Sequence, residues 1–172
     1  MRAAAAVGAA AAALGARAQG AGGDADNSTL ACSADEGAQW DWMKNDAGQS
    51  PCEVASSLVG ACGSDLESLS PPSDGTQNDC VCSMVTYVLV QACVSCRHEE
   101  SASSWYDWKL ACSNTTTEGF AHEVSDEVVV PDWAFYDVTK YNAEGFFSTV
   151  DAKSIYASAP HPSQRLQIPG PT

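Results

Sequence analysis

The chain predicts a mostly α, small disulfide-rich helical domain of about three helices with irregular flanking segments. Three observations carry that expectation. Eight cysteines crowd between Cys32 and Cys112, and an even count in a secreted small domain reads as a framework of disulfides, most simply four. Residues Met1–Ala18 have a single positive charge before a short alanine-rich run and end on the small-x-small pattern Ala16-Arg17-Ala18, as a secretory signal peptide does. Apolar residues between the cysteines recur at helical spacing.

Taken in order, residues 1–18 are the signal peptide, too short and weakly apolar for a membrane span. Cleavage after Ala18 removes Arg2 and Arg17 and no acid, which moves the net charge from −14 to −16. Such a surface repels nucleic acid, whose recognition needs clustered Lys and Arg, and anionic membranes as well. The charge is scattered, which by itself serves solubility. Residues 19–31 are Gly, Ala, Asp, Asn and Ser without periodicity, a flexible leader. The cysteine-bearing core spans 32–112, near the size at which covalent staples are needed.

The first helix is expected over Pro51–Cys62. Ser50 suits the N-cap, Pro51 the first helical position and Glu53 the first turn; Gly63 follows as a stop. The second is expected over Asp79–Cys96, with Val81, Val85, Val88, Leu89, Ala92 and Cys96 on one stripe. The third runs from Ser101 to Ser113, placing Trp105, Trp108 and Cys112 on one face. Ser64–Asn78, with Pro71-Pro72 and Asp74-Gly75, is a loop. Residues 113–150 break into short apolar runs, Val128–Val130, Trp133–Tyr136 and Gly145–Phe147, that dock back on the helices. Residues 151–172 end in prolines and read as an extended, disordered tail.

Helix geometry constrains the pairing. Cys52 and Cys62 would lie about 15 Å apart along a helix, and Cys82 and Cys93 about 16 Å. Antiparallel packing then matches Cys52 with Cys93 and Cys62 with Cys82. A returning third helix brings Cys112 to Cys80, and Cys32 closes on Cys96. This is one of 105 pairings.

Two sharper readings of the sulfurs compete with the staples. Cys80-x-Cys82 with Cys93-x-x-Cys96 has the spacing of a zinc site, but an oxidising compartment converts such thiols to disulfides. A redox role for Cys93-Val-Ser-Cys96 is disfavoured at a helix C-terminus beside Glu99 and Glu100, where the dipole and the acids oppose a thiolate. No metal, cofactor or catalytic residue is assigned.

Asn27-Ser-Thr29 and Asn114-Thr-Thr116 are glycosylation sequons. Trp40 and Trp42 are candidates for an aromatic ligand platform, whereas Trp105 and Trp108 share their face with Cys112 and belong in the core. His98, His122 and His161 fall in no metal or nucleophile motif. Acidic residues are plentiful, but sequence does not place two at the separation glycoside hydrolysis needs.

The ordered set Gly48-Gln-Ser-Pro-Cys52, Cys80-x-Cys82, Tyr87-x-Leu89, Ala92-Cys93-x-x-Cys96, Trp105-x-x-Trp108 and Pro131-x-Trp133-Ala134 resembles a group of basidiomycete fungal surface proteins over Trp40–Val138. The resemblance implies a secreted ectodomain, in that group commonly followed by a linker and one transmembrane helix, and it carries no activity. The eight cysteines and Cys-x-Cys also resemble the CFEM domain, which implies haem binding through an aspartate such as Asp79; the nine residues between Cys52 and Cys62 depart from that pattern. The expected function is a secreted or cell-surface structural or binding module, its partner a cell-wall carbohydrate or a surface protein. The alternatives are a secreted carbohydrate-active enzyme and CFEM-like haem binding.

Overall fold

The structure is a computed structural model that describes residues 31–33, 37–66, 69–99, 102–120, 122, 124 and 128–159. The signal peptide, the leader up to residue 30 with Asn27, and the tail from residue 160 with His161 lie outside the described residues. The helices in chain order are α1 (Gly37–Trp40), α2 (Pro51–Gly60), α3 (Met84–Arg97), α4 (Trp105–Trp108), α5 (Val138–Tyr141) and α6 (Thr149–Ser158). Short 3-10 turns occupy Asp41–Met43, Lys109–Ala111 and Asp132–Phe135. Among the described residues there is no β-sheet, only an isolated parallel bridge between Ser83 and Thr116. None of their helices is long and apolar enough to cross a membrane. The small, disulfide-rich helical class expected from sequence is the class found.

α2 begins as its sequence dictates. The Ser50 hydroxyl accepts from the Glu53 N–H, and the Glu53 carboxylate accepts from the Ser50 N–H at 2.7 Å, a reciprocal cap ahead of Pro51. The helix stops at Gly60, two residues before the expected end, and Gly63 turns the chain with φ +68°. α2 packs on α3, the central element. Every residue of α3 from Met84 to Val94, and Cys96, is buried. A helix apolar on all sides must be covered on all sides. α2, α4 and the Asp132–Phe135 turn pack against it, and α6 packs on that turn in its turn. Trp105, Trp108, Trp133 and Tyr87 are among the largest fully buried side chains.

Four disulfides cross this core: Cys32–Cys96, Cys52–Cys93, Cys62–Cys80 and Cys82–Cys112. The first two are the expected pairs. The other two correct the expected Cys62–Cys82 and Cys80–Cys112, and the reason is where α3 starts. The expected helix from Asp79 placed Cys82 on the face of Cys93. In the fold, Ser83 caps α3 by accepting from the Thr86 N–H. Asp79–Cys82 form a turn instead, held by Asn78, whose side chain accepts from Val81 N–H and whose carbonyl accepts from Cys82 N–H. Two residues apart in a turn rather than a helix, the cysteines exchange directions. Cys80 meets the end of α2 and Cys82 meets Cys112. The bridges span 64, 41, 18 and 30 residues in chain order of their first cysteine. Loop closure makes each worth about 3–4 kcal/mol, least for the 18-residue loop.

Two further expectations are corrected. The third helix does not run unbroken from Ser101 to Ser113: Ser104 caps α4, and the chain tightens to a 3-10 turn at Lys109–Ala111 that leaves Cys112 extended. Residues 151–158, placed at the start of the disordered tail, belong to α6, which begins at Thr149. Ser148 caps it by accepting from Asp151 N–H, and Ala152 is wholly buried. The apolar runs at Trp133–Tyr136 and Gly145–Phe147 dock as expected, except that Phe146 is 37 % exposed. Trp133 and Ala134 are buried, and the Gly145 carbonyl accepts from both the Trp105 N–H and the Tyr87 hydroxyl.

Candidate functional site

The Cys62–Cys80 bridge closes a loop that returns over the end of α2, and this loop builds a cavity of about 570 Å³. Its floor is apolar and fully or nearly buried: Val59 from α2, Leu66, Val81 and Trp108. Trp108 is fixed there because its indole N–H donates to the Val81 carbonyl at 2.9 Å. Pro71 and Pro72 form a wall, and the hydroxyls of Ser64, Ser73 and Thr76 stand around it. The loop holds its shape through its own polar groups. Asn78 Nδ2 donates to Ser64 Oγ at 2.9 Å, and the Ser73 N–H donates to Thr76 Oγ1 at 2.9 Å. Asp65 is the charged side chain of the lining. An apolar floor with a few hydroxyls and no cation in that lining suits a neutral ligand.

A second cleft of about 450 Å³ lies between the Thr117–Gly119 segment, the Asp132–Phe135 turn, α5 and α6. Tyr141, 57 % exposed, stands beside it with Phe135, and three carboxylates, Glu118, Asp132 and Asp137, line it. Asp137 is committed to the fold. Partial burial opposes its charge, but the Thr139 hydroxyl and N–H and the Lys140 ammonium, 3.5 Å away, outweigh that and hold its carboxyl below the usual range. Tyr136 is likewise structural: burial pushes its hydroxyl up to about 12, and its oxygen accepts from the Ser148 N–H.

The tryptophan platform looks different in three dimensions. Trp42 is partly buried, packed edge-on to Trp133 and tilted against Tyr156, each 5.8 Å between centroids. Trp40 lies edge-on to His98 at 6.1 Å, with its indole N–H buried rather than presented. Each ring is therefore committed to a different neighbour. Trp105 and Trp108, read as core, are 2 % and 0 % exposed. Asn114 is exposed on the bend after Cys112.

The sulfurs form two clusters. Cys93 and Cys96 do not pair with each other; they anchor separate bridges, and Cys52 Sγ lies 3.8 Å from Cys96 Sγ. All eight cysteines are in disulfides, so no thiolate is offered to zinc in this state. The second cluster was not foreseen from sequence. A ring nitrogen of His122 and the sulfurs of Cys62 and Cys80 lie within 4.8 Å of one another. Asp79, the residue the CFEM resemblance would assign to haem, instead has its carboxylate 3.7 Å from His122 Nε2. His122 stands 42 residues beyond Cys80 in a segment without periodicity, so no spacing rule could have linked them.

No family model matches the chain, and neither a curated protein nor a solved structure is found to be similar to it.

Proposed function

We propose that this chain is a secreted or cell-surface binding module whose ligand, an uncharged hydroxyl-bearing molecule of the cell-wall carbohydrate class, seats in the cavity walled by the Cys62–Cys80 loop. The observation that carries the reading is that cavity. Proline and valine faces meet the C–H faces of a sugar ring, and the hydroxyls of Ser64, Ser73 and Thr76 meet its own hydroxyls. The net charge of −14 disfavours anionic ligands and nucleic acid. Four disulfides fit an extracellular setting, and the resemblance to fungal surface proteins points the same way. Asn114, exposed beside the Cys82–Cys112 bridge, carries an N-glycan in this reading, and Asn27 is the second acceptor.

A glycan array probed with the oxidised protein tests it. Ser70→Trp, at an exposed position of the cavity lining, should abolish binding while the far-UV circular dichroism is unchanged. Binding that survives this substitution but is lost in Tyr141→Ala would move the ligand to the aromatic and acidic cleft. No binding to any glycan by a folded sample would overturn the carbohydrate reading.

A further inference from the structure

We infer that the Cys62–Cys80 disulfide is a thiol-exchange site, opened at Cys62 by a small thiol with His122 as proton donor to the departing Cys80 sulfur. Opening it releases the loop that walls the cavity, so the consequence for ligand rests on the reading proposed above; the exchange chemistry does not.

Two features single out this bridge, its imidazole and its short loop, and a third, asymmetry of exposure, it shares with Cys32–Cys96 and Cys82–Cys112. The first is the imidazole: among the described residues the other sulfur cluster, Cys32, Cys52 and Cys96, includes no histidine. The His122 side chain is 40 % exposed and so exchanges protons with water, and the Asp79 carboxylate lies 3.7 Å from its Nε2. The shared feature is asymmetry. Cys62 is partly exposed at the end of α2, whereas Cys80 is wholly buried. An incoming thiolate therefore reaches Cys62, and the leaving sulfur is the one for which a bare negative charge is hardest to accommodate. A proton delivered there matters most. The other distinguishing feature is loop length. This bridge encloses 18 residues against 30, 41 and 64 for the others, so its loss withdraws the least loop-closure stabilisation and leaves the rest of the fold closed.

The step balances. The thiolate attacks Cys62 Sγ, the S–S bond breaks, its electron pair passes to Cys80 Sγ, and that sulfur takes the proton of the His122 imidazolium. The products are a mixed disulfide on Cys62, a Cys80 thiol and a neutral imidazole. With a dithiol, the second thiol then displaces Cys62 and leaves as its own cyclic disulfide, a two-electron reduction of the bridge.

Residues 63–79 include most of the cavity lining, from Ser64 to Thr76. Once untied, they are held to the body by the buried Leu66 and Leu69 and by Asn78, which accepts from the Val81 and Cys82 N–H groups. The Asn78–Ser64 bond lies within the segment itself. The cavity then exists in the oxidised state and loosens in the reduced one.

The test uses the full oxidised protein in native buffer, dithiothreitol as reductant, quenching with N-ethylmaleimide, and mass mapping of labelled cysteines. Cys62 and Cys80 should label first, about tenfold faster than any other pair. His122→Asn should slow that bridge about tenfold and leave the other three unchanged, a selectivity that a general loss of stability would not produce. Cysteamine, a monothiol, should be trapped on Cys62 and not on Cys80. Hydrogen exchange across 63–79 should rise on opening, as it should in a Cys62→Ser, Cys80→Ser double variant. First labelling at another bridge, an unchanged rate in His122→Asn, or an adduct on Cys80 would overturn the inference. None of these readouts requires a ligand, so a failed glycan array leaves them intact.

Discussion

Asn45 is a polar side chain in the wrong place for an ordinary surface amide, and its replacement should be costly in a way that depends on pH. It is 6 % exposed and satisfied on both ends. Oδ1 accepts from the Ala47 N–H at 3.0 Å and the Gln49 N–H at 2.9 Å. Nδ2 donates to Gln49 Oε1 at 2.7 Å and to the Val129 carbonyl at 2.6 Å. It thereby shapes the turn that delivers Ser50 to the start of α2 and ties that turn to the distant segment before Pro131. Asn45→Ala removes all four bonds. At about 0.5–1.5 kcal/mol each, with part of the loss recovered by water at Ala47, the expected cost is about 2–4 kcal/mol. Asn45→Asp keeps both acceptor bonds but turns a carboxylate toward the Val129 carbonyl. The introduced carboxyl is then easier to protonate in the folded state than in the unfolded chain. A folded-state pKa raised in this way contributes stability that is fully present below the unfolded value, about 3.9, and lost as pH rises through the folded one. Protonated, the group donates to Val129 as the amide does. Urea unfolding followed by tryptophan emission, variant against parent at each pH, should show a gap of about 2 kcal/mol or more near neutrality that shrinks toward zero by about pH 3.5. A gap that is flat across that range, or an alanine variant within about 0.5 kcal/mol of the parent, would refute the reasoning.

Three smaller perturbations test the rest of the frame. Ser50→Ala should cost about 1 kcal/mol in thermal unfolding, because it deprives α2 of its cap. Gly145→Ala should cost about 1–3 kcal/mol in the same assay: φ is +73°, and an added Cβ would sit 2.9 Å from the Tyr106 ring. Asp137→Asn should cost less than about 1 kcal/mol, since the site is partly solvated. Its carboxyl is depressed in the fold, so its contribution is present above the unfolded pKa and is lost as pH falls through the folded one; the parent–variant gap should close in strong acid.

How far the sequence could be read depends on whether a feature is local. The cap, the proline and the first-turn acid of α2 act within four residues, and that helix starts where they say. The burial of Trp105 and Trp108 follows from periodicity over one turn. Cys52–Cys93 was legible because Cys93 lies well inside α3, where helix geometry holds whatever happens at its ends, and Cys32–Cys96 followed as the pair left over. Cys80 and Cys82 failed for the opposite reason. Apolar Val81 continued the helical stripe in sequence, but Asn78 and Ser83 offered side-chain acceptors that capture the backbone into a turn first. Start α3 five residues later and the two bridges swap.

The sequence alone therefore determined the class of the molecule: helices stapled by disulfides, a buried aromatic core and an acidic surface. Each of these is a matter of composition or of spacing within a few turns. Tertiary structure decided what the staples enclose. The cavity is walled by a loop whose shape depends on which of two neighbouring cysteines reaches Cys62. His122 meets that bridge from 42 residues farther along the chain than Cys80, and Asn45 meets Val129 across 84. Contacts at such separation are set by how the whole core closes, and no local pattern in the chain encodes them.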